Sequence, residues 1–351
     1  MSALVSVIVV TWNRRELLRA CLTSLASQTD LDGTPLEVIV VDNGSRDGSV
    51  EMIEKEIRSA LTNLDVVLIR NSENRGFCEA NNQGIAASRA RYVALLNNDA
   101  EADPGWLRAL LSAFDGRPDV GMAASKILVH EDPRRIDKAG HLIYPDGQNR
   151  GRGSGEIDRG QYDRVEETLW PDGCAAMYRK DLLERIGGFD TDFFAYGDDA
   201  ELGLRARIAG YNCLYIPTAV VRHHRGATLG LDSGRRLQLI ERNRVLLAMK
   251  LFPWSLLWKN GAYYVARIAA GTVAAARNEG ETRLYPGLRG KWTMAKALIQ
   301  GDLQALRLAP RMLRKRRAVN RFRKLTPRQV HDLILSNRVS LQELTRQSTA
   351  H

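Results

Sequence analysis

The sequence predicts an α/β protein built on a parallel sheet, with a mainly α-helical, basic C-terminal extension. Three observations carry that expectation. Short apolar runs rich in β-branched residues recur along the first hundred positions, as strands covered on both faces require. Helical periodicity fills the intervals between them. Each run then gives way to a polar cluster, at the place where open α/β sheets hold their ligands.

Residues 5–10 form the first run, and residues 36–41, 66–69 and 92–96 repeat it. Between the first two, Leu17, Leu18, Cys21, Leu22 and Leu25 are spaced as one helical face. Ser45 and Asp47 are placed to cap the next helix, and Asp103-Pro104 reads as a cap followed by proline at the first helical position. Strand and helix in alternation give a parallel sheet through right-handed crossovers.

Five polar motifs follow one another in order: Thr11-Trp12-Asn13-Arg14, Asp42-Asn43-Gly44-Ser45-Arg46-Asp47-Gly48, Asn74-Arg75-Gly76-Phe77 through Asn81-Asn82-Gln83-Gly84, Asn97-Asn98-Asp99, and Tyr196-Gly197-Asp198-Asp199-Ala200-Glu201-Leu202. Together, over residues 4–230, they resemble the family 2 glycosyltransferases, in particular the rhamnosyltransferase-like branch. The resemblance implies a GT-A fold, a nucleotide-diphosphate sugar donor, a divalent metal, and inversion at the anomeric carbon of a transferred hexose. It places Thr11, Asn13, Asp42, Arg75, Gly76 and Asn98 on the donor and Asp172, Gly173 and Tyr196 on the acceptor. Asp99, Asn97 and His223 fall to the metal, and Asp199 to the catalytic base with Asp198 beside it. Thymidine diphosphate rhamnose is the donor the branch suggests.

The residue chemistry fits independently. A nucleotide sugar presents a base, a ribose and a charged diphosphate, so its site needs a hydrogen-bond acceptor and a cation. Asp42 closes the second strand and supplies the acceptor, although a helix cap after Gly44 would also explain it. Gly44 and Gly48 allow close backbone approach, or simply turns. In Asn97-Asn98-Asp99, one carboxylate together with the donor's phosphates suffices for Mg(II) or Mn(II). The family often has aspartate at the first position, so Asn97 here leaves Asp99 as the protein carboxylate. His223, with His224 beside it and Gly226 and Thr228 close behind, resembles the family's late histidine ligand; imidazole suits Mn(II) better than Mg(II). Single displacement needs a carboxylate to take the acceptor's proton. Favourable charge at a helix N-terminus would also explain Asp198-Asp199, but with the aromatics before them the catalytic reading is favoured. Phe193, Phe194 and Tyr196 stand before the pair as sugar-facing aromatics. Residues 170–175 read as an acceptor-side wall, and the glycine-rich residues 147–160 as a flexible loop near it.

A chain of 351 residues accommodates a catalytic domain over 1–230 and a smaller region over 231–351. Cys21, Cys78, Cys174 and Cys213 are widely spaced, as suits buried thiols in a reducing cytosol. No charged-then-apolar leader precedes the first strand, so secretion is not expected. The charge is uneven: residues 231–351 carry 24 Lys and Arg against 7 Asp and Glu, eight of the bases within 311–324. Residues 246–258 and 263–276 are apolar with interleaved aromatics, yet too short or interrupted to span a bilayer. Peripheral attachment to the anionic inner face of the cell membrane is one reading of this region; packing on the catalytic domain or homo-oligomerisation is the other. Nucleic acid is not expected, because no binding motif accompanies the charge and the front half is acidic. A lipid-linked or surface polysaccharide acceptor follows from the membrane reading. The alternatives are a sugar-phosphate nucleotidyltransferase, which wants a glycine-rich, arginine-bearing loop after the first strand, and an inactive scaffold with the same fold.

Overall fold

The structure, a computed structural model, describes residues 4–29, 35–224, 233–277 and 279–346. Strands β1 (Val5–Thr11), β2 (Leu36–Asp42), β3 (Leu64–Arg70) and β4 (Tyr92–Leu96) form the parallel half of a ten-stranded sheet, in the order β4-β1-β2-β3. The remainder is mixed: β11 (Ala175–Arg179) runs antiparallel to both β4 and β6 (Val120–Val129), and β12 (Asn212–His223) runs parallel to β6. β5 (Ala100–Ala102) and β10 (Glu166–Glu167) pair with β12, and β7 (Ile136–Lys138) pairs with β6. The parallel sheet read from sequence therefore holds for its first four strands. The remaining strands join through hairpins and reversals that no local period announces.

Helix α1 (Arg15–Ala26) buries Leu18, Cys21, Leu22 and Leu25 as its spacing requires, with Leu17 half-buried at the margin. α2 (Ser49–Met52) passes through a π-helical turn into α3 (Arg58–Ala60), and α4 (Gly76–Ala87) follows β3. α5 (Trp106–Ser112) begins later than the Asp103-Pro104 pattern suggests, because Asp103 uses its carbonyl to close a turn with the Trp106 amide at 3.0 Å. α6 (Lys180–Ile186) and α7 (Asp198–Ile208) complete the helices of residues 1–224.

Residues 147–160, expected as a flexible loop, include an ordered strand. β8 (His141–Ile143) and β9 (Asn149–Gly151) form a hairpin, and Arg152 donates to the Ala139 carbonyl at 2.8 Å.

The C-terminal region consists of α8 (Gly234–Leu251), α9 (Trp254–Ala276), α10 (Gly287–Val319), α11 (Pro327–Ser336) and α12 (Leu341–Arg346). Leu246, Leu247, Phe252, Met312 and Ile334 enter the same apolar core as Ile8, Val41, Trp170 and Phe193. Ion pairs reinforce that contact: Lys250 reaches both Asp190 and Glu201 at 2.6 Å, and Arg267 reaches Glu241 at 2.9 Å. Part of the basic cluster at 311–324 is committed in the same way. Arg311 and Lys315 each lie 2.7 Å from Asp192, Lys315 also pairs with Asp190, and Arg316 stacks over Trp254. Among the described residues no helix is long and apolar enough to cross a membrane.

Candidate active site

The carboxyl ends of β1 and β4, the α7 loop and the C-terminal helices enclose a cleft of about 820 Å³. A smaller cavity of about 390 Å³ opens at the ends of β2 and β3. Gly76, Asn97, Asn98, Asp99, Asp172, Gly173, Tyr196, Asp198, Asp199 and His223 line the first, and Asp42 lines the second. Thr11, Asn13 and Arg75 line neither. Thr11 is buried and accepts a hydrogen bond from Asn98 Nδ2 at 3.0 Å. Asn13 sits in a left-handed turn, φ 59°, and accepts the Arg46 amide at 2.9 Å. The Arg75 side chain is exposed just before α4.

At the donor end, Asp42 combines the two uses that its sequence left open. Oδ2 accepts the amides of Gly44 and Ser45 at 3.1 and 3.0 Å, while the buried Oδ1 has no hydrogen-bond partner among the described residues. One oxygen shapes the turn and the other is unpaired among the described residues. Gly76 carries φ +85°, and a Cβ there would lie 2.5 Å from the Phe194 ring, so only glycine lets α4 approach this loop.

Asp99 is buried, and its Oδ1 makes no hydrogen bond; His223 Nε2 lies 3.4 Å away. The other ring nitrogen, Nδ1, meets Asp137 at 2.7 Å. A carboxylate behind an imidazole orients it and increases its basicity, which is how metal-binding histidines are held. Burial opposes charge on His223, yet Cys174, Asp137 and Asp99 raise its pKa well above the ordinary value. The corner thus has an excess of negative charge and one oxygen without a donor, which fits a divalent cation held by Asp99 and His223 with Asn97 alongside. His224 turns away, stacking on His130 and meeting Glu131 at 3.1 Å. Gly226 and Thr228 lie outside the described residues.

Beside this corner, Asp172 Oδ2 accepts from Lys138 at 2.6 Å and from His141 at 2.9 Å, and Oδ1 accepts the Cys174 amide at 2.9 Å. Burial opposes its charge, but Lys138 and His141 hold its pKa well below the usual range. Asp199 Oδ2 lies 3.5 Å from both His141 Nε2 and the Gly173 amide, so it is near these donors but loosely held. Burial raises the Asp199 pKa, with Asp172 adding to it and His141 and Lys138 opposing. Burial and then Asp199 push Asp198 much further up. Phe193 is core rather than sugar-facing, whereas Phe194 and Tyr196 line the cleft.

Sequence reasoning missed Asp137, Lys138, His141 and Asn243. Asp137 and Lys138 lie on the three-residue strand β7 and His141 opens the three-residue strand β8, both too short for a periodic signal. Asn243, on α8, donates to the carbonyls of Phe193, Ala195 and Tyr196 at 2.9, 2.8 and 2.6 Å. It braces a loop in which Phe194 and Tyr196 have φ of 64° and 67°, immediately before the acidic pair.

Residues 6–187 match the profile of glycosyl transferase family 2, and the chain belongs to that family. It is therefore a glycosyltransferase of GT-A fold rather than a nucleotidyltransferase. The N-acetylglucosaminyl-diphospho-decaprenol L-rhamnosyltransferase of Mycobacterium tuberculosis is 26% identical over 258 residues, covering 68% of this chain and 81% of that protein. The uncharacterized protein y4gI of Sinorhizobium fredii is 29% identical over 248 residues, or 65% of this chain, which spans only 25% of that longer protein. The mannosyltransferase PcManGT of Pyrobaculum calidifontis, solved with GDP-Man and Mn2+, has the same fold, with TM-score 0.53, 23% identity, and coverage of 87% of this chain and 88% of its own.

Proposed function

We propose that the chain transfers a hexose, with inversion, from a nucleotide-diphosphate sugar to a hydroxyl of a lipid-linked or surface polysaccharide acceptor. The observation that carries this reading is that one cleft holds both a carboxylate oxygen with no hydrogen bond, on Asp99, and a carboxylate of raised proton affinity, Asp199. The nucleotide lies toward Asp42 and the diphosphate toward Asp99. Mn(II) or Mg(II), held by Asp99 and His223 with Asn97 alongside, would neutralise charge on the departing diphosphate. The acceptor oxygen bonds to the anomeric carbon as the bond from that carbon to the diphosphate oxygen breaks. Asp199 Oδ2 takes the acceptor's proton, and the nucleoside diphosphate leaves with the bonding pair. Asp198, whose proton affinity is raised by burial and by Asp199, is suited to orient the acceptor or the loop.

Thymidine diphosphate rhamnose is the preferred donor on the likeness to the mycobacterial rhamnosyltransferase. The same likeness favours a lipid-borne acceptor, worked on from the cytoplasmic surface of a membrane. In this reading residues 1–230 carry the chemistry and 231–351 complete the acceptor side. Calorimetry across a set of nucleotide sugars, with and without Mn(II), should find one that binds more tightly with metal and is consumed with release of nucleoside diphosphate. Asp99→Ala should abolish the metal-dependent gain and His223→Ala should weaken it. A full metal increment in Asp99→Ala would reduce this corner to a turn.

A further inference from the structure

We propose that the exposed apolar strip of α10, with the exposed apolar residues of α9, docks onto an anionic lipid bilayer and brings the cleft beside the membrane. This rests on the reading that the acceptor is lipid-borne. On α10, Leu288, Trp292, Ile299, Leu303, Leu306 and Leu313 are all exposed, from 44% to 88%. At 100° per residue these six fall within a strip roughly 80° wide, running most of the helix's length. On α9, Trp254, Trp258, Val265 and Val273 are likewise exposed.

Arg289, Lys296, Arg307 and Arg314 are exposed, and helical spacing sets all four along one flank of the α10 strip. None of them pairs with a carboxylate among the described residues. An apolar strip edged by cations is the pattern of a helix lying in a bilayer interface, with its apolar side in the acyl boundary and its cations on anionic headgroups.

Charge complementarity favours a bilayer over a second copy of the chain. α9 has no acidic residue, and the one carboxylate of α10, Asp302, is turned toward Arg244 and Tyr264. A two-fold partner would bring the same cations and no acidic counterpart on these helices. The cleft adjoins the strip: Lys291, Met294 and Leu298 of α10 and Ile268 and Gly271 of α9 line it from the neighbouring sides of the same helices. The bases available for docking are thus mostly upstream of the 311–324 cluster, where Arg311 and Lys315 already pair with Asp190 or Asp192.

The test is co-sedimentation of the full chain with phosphatidylcholine vesicles, with and without phosphatidylglycerol, over a salt series. Two surface variants accompany it: an apolar set, Trp258→Ser with Trp292→Ser and Leu303→Ser, and a charge set, Arg289→Gln with Lys296→Gln, Arg307→Gln and Arg314→Gln. Binding to anionic vesicles is expected, falling as salt rises and weakened at least about tenfold by either set. Equal binding to neutral vesicles, or undiminished binding of the apolar set, overturns the proposal. So does a wild-type dimer that the apolar set converts to monomer while neither protein binds vesicles. Release of nucleoside diphosphate from nucleotide sugar, measured in parallel, should persist in both variants. Its absence from the wild type would refute glycosyl transfer while leaving the vesicle result to be judged separately.

Discussion

Three aspartates within one cleft have been driven to three proton affinities by what lies beside them. Asp172, gripped by Lys138 and His141, stays ionised. Asp198, buried beside Asp199, has its proton affinity pushed well above the usual carboxylate range. Asp199 lies between these extremes, raised by burial but tempered by His141 and Lys138. Such divergence of like groups is how acid and base roles are divided at neutral pH. A base works only when deprotonated, so kcat/KM should fall as pH drops through the Asp199 pKa, and that acid limb should lie above the ordinary value of 3.8. Asp199→Asn keeps the shape and loses the proton acceptor, so turnover should fall on the order of a hundredfold or more while calorimetric donor affinity stays near wild type. Near-normal turnover would move the base elsewhere, with Asp198 first in line.

The acidic pair owes its position to elements far apart in sequence. The Phe193–Gly197 loop spends three consecutive or near-consecutive residues in left-handed backbone, Phe194, Tyr196 and Gly197, and the two non-glycine positions cost about 1 kcal/mol or more each. The compensation comes from both sides: the Phe77 amide at the start of α4 donates to the Phe194 carbonyl at 2.8 Å, and Asn243 of α8 supplies three further contacts. Asn243 is therefore a positioning residue that acts through the loop. Asn243→Ala should lower kcat about tenfold or more, because misplaced reacting groups forfeit orientation, and should leave the donor KM little changed. A rise in donor KM at constant kcat would show instead that α8 serves donor binding.

At the scale of the molecule, what could be read from sequence and what could not divide by the distance over which each signal acts. β1, β2 and β4 and the turns after them announce themselves through local apolar runs and turn residues, so Asp42 and Asp99 are legible at or just after the ends of their strands and Asp199 at the start of α7. Asp137 and Lys138 become visible only when β7 pairs with β6, and His141 only when β8 pairs with β9, bringing all three to the cleft. The basic C-terminal region is plain in composition, but Lys315 meets Asp190 across 125 residues of chain, and no local pattern reveals which charges are spent on such contacts. The proposed reaction is a single displacement in one cleft, with the base on the α7 side and the metal corner on the β4 side. The most direct measurement is the anomeric configuration of the product by NMR, once a donor has been found. Inversion relative to the nucleotide sugar is the predicted result, since one carboxylate then activates the incoming oxygen and no glycosyl-enzyme forms; retention of configuration would contradict it.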